Sequence, residues 1–187
     1  MSNAIRIAVD AMGGDNSPNK VIEGINHHHK SSPNVFYKIF GDKSLIEKIL
    51  PKTLSKECFE IVNTLEKVEG TDSPLAGAKR GKNTSMWLAI DSVKKKDTDI
   101  ILSAGNTGAL FVIAKLNLPM IEKIDKPALS GLWPNKIGTN IVLDLGANIE
   151  CDDKNLEDFS LMGSALFKAL YPNDSPKVAL LNIGTAE

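Results

Sequence analysis

The sequence predicts an α/β fold built on a mainly parallel sheet. Short β-branched or apolar runs alternate with segments of helical period along the chain. Some of these runs, Ile100–Ser103 among them, are continuously apolar, as strands covered on both faces are. The 187 residues, 42% apolar and 24% charged, are enough for one soluble core without disulfides or a structural metal.

The elements follow in order. Ile5–Asp10 is the first strand. After a glycine loop, Ser17 and Pro18 read as an N-cap and a first-turn proline, opening a helix to about Lys30. Val35–Phe40 is the second strand, and a helix near Lys43–Leu50 sets Leu45, Ile46, Ile49 and Leu50 on one face. Cys58–Val62 is the third strand, followed by a loop rich in Gly and Lys. A helix over about Thr84–Lys95 carries Met86, Ile90 and Val93 on one stripe. The strand Ile100–Ser103 leads through a glycine loop into the helix Ala109–Leu116. Two further strands, Leu129–Trp133 and Ile141–Leu145, precede a helix over Asn155–Tyr171 that Pro172 stops. Lys177–Ile183 reads as a last buried strand. With no repeat or linker, residues 1–187 read as a single α/β domain, and a parallel strand so near the chain end makes that domain look unfinished.

Charge and motifs exclude several functions. The 22 basic and 23 acidic residues are mixed along the chain, which leaves no nucleic-acid footprint. The longest apolar run, Ala109–Ala114, is far too short to span a membrane, and no signal peptide follows Met1, so a cytoplasmic chain is expected. Cys58 and Cys151 lie outside any metal-ligand spacing and read as small buried or edge residues. His27, His28 and His29 point about 100° apart on a helix and cannot chelate together. Ala76–Asn83 lacks the first glycine and the Ser/Thr of a P-loop, and no Gly-x-Gly-x-x-Gly follows a strand, so neither nucleotide motif is present. Trp87 and Trp133 read as core aromatics. Lys94, Lys95 and Lys96 end a helix, where cations complement the dipole.

Four expected strands end in small-residue loops: Asp10–Asp15, Ser103–Gly108, Asp144–Asn148 and Asn182–Thr185. Glycine in such loops serves the turn, and Asp or Asn caps the next helix. Yet carboxyl ends of parallel strands share one edge, where open α/β sheets bind ligands. Four glycine loops there favour an anion, a phosphate or carboxylate, held by backbone N–H groups and helix N-termini. With 20 Lys against only Arg6 and Arg80, arginine forks contribute little to such a site. Lys79, Arg80 and Lys82 form the compact basic cluster.

Read together, Asp10-Ala-Met-Gly-Gly-Asp15 with Pro18, Ser85-Met-Trp87, Ser103-Ala-Gly-Asn-Thr-Gly-Ala109, Asp144-Leu-Gly-Ala-Asn148 and Leu180-Leu-Asn-Ile-Gly-Thr185 resemble, in order and approximate spacing, the bacterial phosphate acyltransferase family (PlsX). The resemblance covers nearly the whole chain and matches the N-terminal half, or slightly more, of that family. It implies a three-layer α/β/α fold of the isopropylmalate dehydrogenase and phosphotransacetylase type, in a chain truncated relative to the family. It also implies transfer of an acyl chain from acyl carrier protein to inorganic phosphate in phospholipid synthesis, with no cofactor and no metal. Expected partners are acyl carrier protein, inorganic phosphate and a second copy as a homodimer, with peripheral membrane contact. A related acyl-phosphate enzyme on the same fold, or a non-catalytic remnant, are the alternatives.

Phosphate is already an anionic nucleophile, so the protein has to position it and stabilise an oxyanion. On this reading Asp10, Asn106, Asp144 and Lys82 carry the chemistry. Asp10, Asp144 and Asn148 orient loops, with proton acceptance as the alternative for Asp10, and Lys82 supplies positive charge. Gly13, Gly14, Asp15, Ser103, Gly105, Thr107, Gly108, Gly146 and Asn148 line the phosphate and substrate site.

Overall fold

The computed structural model describes residues 4–148 and 150–181. The chain divides into two compact units, Met1–Pro119 and Met120–Glu187.

The first unit is an α/β layer structure. Strands β1 (Ile5–Asp10), β2 (Val35–Gly41), β3 (Phe59–Asn63) and β4 (Ile100–Ser103) form one sheet in the order β3-β2-β1-β4, every neighbouring pair parallel. Side chains alternate along each strand. Val9, Tyr37 and Ile39 therefore face Ile22 and Ile25 of α1 (Asn19–Ser31) and Ile46 of α2 (Lys43–Ile49). Ala8 and Phe40 face the other way, onto Ala89, which belongs to α4 (Ser85–Lys94). Helices on both faces give the expected three layers. A further cluster joins Met86 and Ile90 of α4 to Ala109 and Ile113 of α5 (Thr107–Asn117).

Three details depart from the sequence expectation. Pro18, not Ser17, is the N-cap of α1, and Ser17 Oγ instead donates to the Gly13 carbonyl. The Gly- and Lys-rich loop contains a short helix, α3 (Pro74–Lys79), capped by Ser73 Oγ accepting from Ala76 N–H. Its six residues are too few for periodicity to register. Finally, β4, the sheet edge among the described residues, is covered on one face only: Ile101 packs inward, while Ile100 and Leu102 are 54% and 57% exposed.

In the second unit, β5 (Ser130–Asn135) and β6 (Gly138–Leu143) pair antiparallel, Leu132 against Ile141 and Asn135 against Gly138. The expected places in a parallel sheet are corrected here. Two residues, Lys136 and Ile137, join the strands, and a parallel crossover needs about a dozen. Trp133 sits on this hairpin 56% exposed, not in a core. α6 (Asp153–Leu170) opens on a capping box in which Asp152 and Asn155 exchange side-chain-to-backbone bonds, and it buries Phe159. Residues 177–181 form no strand, with Val178, Leu180 and Leu181 exposed; the rest of the strand expected over 177–183, and the loop Asn182–Thr185, lie outside the described residues.

Candidate functional site

The carboxyl ends of β1 and β4 meet over a buried carboxyl group. Asp10, the last residue of β1, is 1% exposed. Its Oδ1 accepts from Ser85 Oγ at 2.6 Å and from the Met12 N–H at 3.2 Å, and its Oδ2 accepts from Ser103 Oγ at 2.7 Å. Ser103 Oγ in turn accepts from the Gly105 N–H at 3.1 Å. One side chain thus ties together the loop after β1, the loop after β4 and the N-terminus of α4. These donors provide the partners that a carboxyl removed from water requires. Ser85 is marked in the sequence only as part of the Ser85-Met-Trp87 motif; its bond to Asp10 is not legible there, since the partner lies 75 positions away.

Glycine lets the two loops touch. A Cβ on Gly13 would lie 2.6 Å from Asp10 Oδ2 and 2.9 Å from the Gly105 nitrogen. Gly14 has φ +89°, the left-handed region, and a Cβ there would fall 2.5 Å from the Ala104 carbonyl oxygen. Gly13 is buried while Gly14 and Asp15 are exposed, so the loop turns its outer half to solvent.

Asn106 holds the β4 loop from its other end. Its Oδ1 accepts from the Ala109 N–H at 2.9 Å, capping α5, and its Nδ2 donates to the carbonyls of Asp72 at 2.7 Å and Gly70 at 3.3 Å. Asp72 is itself fixed: its carboxyl accepts a bidentate pair from Arg80, with Nη2 to Oδ1 at 2.8 Å, and the Glu69 N–H at 2.9 Å. The Arg80 guanidinium beside Asp72 holds that carboxyl below the usual carboxylate range, and Asp72 raises Arg80. Pro74 of α3 closes against Gly108, where a Cβ would meet Pro74 Cγ at 2.6 Å. Thr107 is exposed and Gly108 half-buried at the start of α5.

The structure therefore brings together Asp10, Gly13, Gly14, Ser103 and Gly105, and places Asp15, Asn106, Thr107 and Gly108 on the same two loops. Lys82 is exposed on the turn between α3 and α4. Asp144, Gly146 and Asn148 form a separate arrangement in the second unit. Asp144 (φ +59°) accepts from the backbone N–H and Nδ2 of Asn148, at 3.2 and 3.0 Å, and from Cys151 Sγ at 3.4 Å. Asn148 Nδ2 also donates to the Pro127 carbonyl at 3.0 Å, and Gly146 has φ +81°. Because β6 belongs to an antiparallel hairpin, sharing a parallel edge with β1 and β4 no longer places this loop beside them. Burial, then the neighbouring Asp144, pushes the Cys151 thiol up, away from the nucleophilic thiolate. No helix among the described residues is long and apolar enough to cross a membrane.

The family model described as "Fatty acid synthesis protein" matches residues 5–187. The chain belongs to this family. Among curated relatives, a protein named phosphate acyltransferase from Pelagibacter ubique is 69% identical over 187 residues, covering 100% of this chain and 56% of the relative. Proteins of the same name from Bradyrhizobium diazoefficiens and Paramagnetospirillum magneticum are 43% and 40% identical over 189 residues, each covering all of this chain and 54% of the relative. The chain spans little more than half the length of these relatives.

Proposed function

We propose that this chain carries the anion-binding edge of a phosphate acyltransferase that makes acyl phosphate from acyl-[acyl carrier protein] and inorganic phosphate. The observation that carries the reading is the junction of the β1 and β4 loops over Asp10. The side chains of Asp10, Ser103 and Asn106 are turned inward to hold the loops, and the outer surface offered to a ligand is backbone and small residues around Gly14, Asp15 and Thr107. Such an edge suits an anion that needs close main-chain approach and no large side chain.

In the reaction, a phosphate oxygen attacks the thioester carbonyl carbon. A carbon–oxygen bond forms, the carbon–sulfur bond breaks, and the carrier leaves as a thiolate that takes up the proton the attacking hydrogen phosphate gives up. The residues here position phosphate and stabilise the tetrahedral oxyanion. Asp10 and Asn106 act as positioning residues on this reading, and Lys82 supplies charge toward phosphate or the acidic carrier. Asp144 and Asn148, bonded to each other, keep a loop-orienting role in the second unit, where Gly146, expected to line the phosphate site, turns the same loop. Homodimer formation and peripheral membrane contact belong to the full-length protein, and light scattering and vesicle flotation test them. For the site itself, amide resonances of Gly13–Asp15 and Gly105–Gly108 are expected to shift saturably on adding inorganic phosphate; a titration that moves none of them contradicts the placement.

A further inference from the structure

We propose that Arg80 is a positioning residue for the phosphate site, acting through Asp72 and Asn106 and not as a charge offered to the substrate. The inference rests on the acyltransferase reading above and adds a residue that sets the β4 loop. The sequence groups Arg80 with Lys79 and Lys82 in a basic cluster. In the structure its guanidinium is already committed: Nε donates to Asp72 Oδ2, and Nη2 donates to Oδ1 at 2.8 Å. Both oxygens of one carboxylate are thus held by a planar fork, which an ammonium cannot reproduce.

What Asp72 holds makes this more than a surface ion pair. From Gly70 to Ala76 every residue except Asp72 is exposed, so this side chain is the segment's main anchor. Its carboxylate also accepts from the Glu69 N–H at 2.9 Å, and its carbonyl accepts from Asn106 Nδ2 at 2.7 Å. The other end of the same amide, Oδ1, caps α5 by accepting from the Ala109 N–H at 2.9 Å. A continuous run of hydrogen bonds therefore joins the guanidinium to the loop Ser103–Gly108. With side-chain exposures of 42% for Arg80 and 13% for Asp72, the pair adds little to global stability. Its effect falls on where the Asp72 carbonyl stands, and so on where Asn106 sets the loop.

Arg80→Lys and Asp72→Asn in the full-length protein test this. Each removes the fork, and Arg80→Lys keeps the positive charge. Both are expected to raise the phosphate KM of acyl phosphate formation, trapped as hydroxamate, by roughly tenfold, with kcat changed far less. The double variant is expected to be no worse than the stronger single, because both break one link. A wild-type KM in Arg80→Lys overturns the proposal. So does a lowered KM in Asp72→Asn, the result expected of a guanidinium released to meet the anion. Additive effects, or a loss of kcat alone, overturn it too. A further readout needs no turnover: the Asn106 side-chain amide protons, followed by NMR in the same proteins without ligand, are expected to exchange with solvent about tenfold faster in Arg80→Lys. Unchanged exchange overturns the proposal. A wild type that makes no acyl phosphate contradicts the acyltransferase reading and leaves amide exchange to decide the Arg80 link, so the two failures are distinguishable.

Discussion

Asn106 Nδ2 donates to the carbonyl of Asp72 at 2.7 Å, and this bond joins the N-terminus of α5 to the segment that precedes α3. With Oδ1 capping Ala109, the amide is fully engaged by the chain itself. Asn106→Ala is expected to cost roughly 1–3 kcal/mol, combining a lost cap with released backbone carbonyls, and to lower acyl phosphate formation at least tenfold. Thermal denaturation and turnover check the pair; unchanged turnover in a destabilised variant contradicts the positioning role.

Ser85 and Asp10 form the second link. Ser85→Ala leaves Oδ1 of a buried carboxyl with only the Met12 N–H, at an expected cost of about 1–3 kcal/mol. Asp10→Asn disturbs the same bond, so the double variant is expected to be less destabilised than the sum of the singles. Additive urea midpoints show that the hydroxyl and the carboxyl do not act as one unit.

Gly14 tolerates no side chain. Its φ of +89° and the 2.5 Å approach of a Cβ to the Ala104 carbonyl predict that Gly14→Ala strains the loop, by roughly 1–3 kcal/mol, and abolishes phosphate binding. Gly24→Ala, in open space on α1, is expected to stabilise by up to ~1 kcal/mol. Calorimetry on the two variants compares them directly.

Acid releases the Asp72 clasp. Arg80 lowers the Asp72 carboxyl in the folded chain, so the stability it contributes is present above the unfolded value of about 3.9 and is lost as pH falls through the lower folded value. Asp72→Asn is expected to flatten that part of the stability-against-pH curve. An unchanged acid limb in the variant contradicts the link.

Much of the first unit was legible because its signals are local. Apolar runs marked β1 to β4, and the stripe Met86, Ile90, Val93 marked α4. The glycine loops after β1 and β4 were legible as neighbours on one sheet edge for the same reason, and they do meet over Asp10. The hidden parts depend on contacts distant in sequence: Ser85 with Asp10, and Asn106 with Asp72. The hairpin is not legible as one because its strands carry apolar runs like those of parallel strands. The deciding fact was the short connection, Lys136–Ile137, which leaves no room for a crossover. Nothing local distinguishes an edge strand from a central one either, and the continuously apolar β4 leaves Ile100 and Leu102 half open.

The central claim is that the β1 and β4 loops hold phosphate for acyl transfer. It is tested most directly by trapping acyl phosphate as hydroxamate in the full-length protein, with acyl-[acyl carrier protein] as donor and inorganic phosphate varied, for wild type and Gly14→Ala. Product formation that saturates with phosphate in the wild type and collapses in the variant is the predicted result. A wild type whose product yield does not depend on phosphate, or a Gly14→Ala protein with wild-type phosphate dependence, would contradict it.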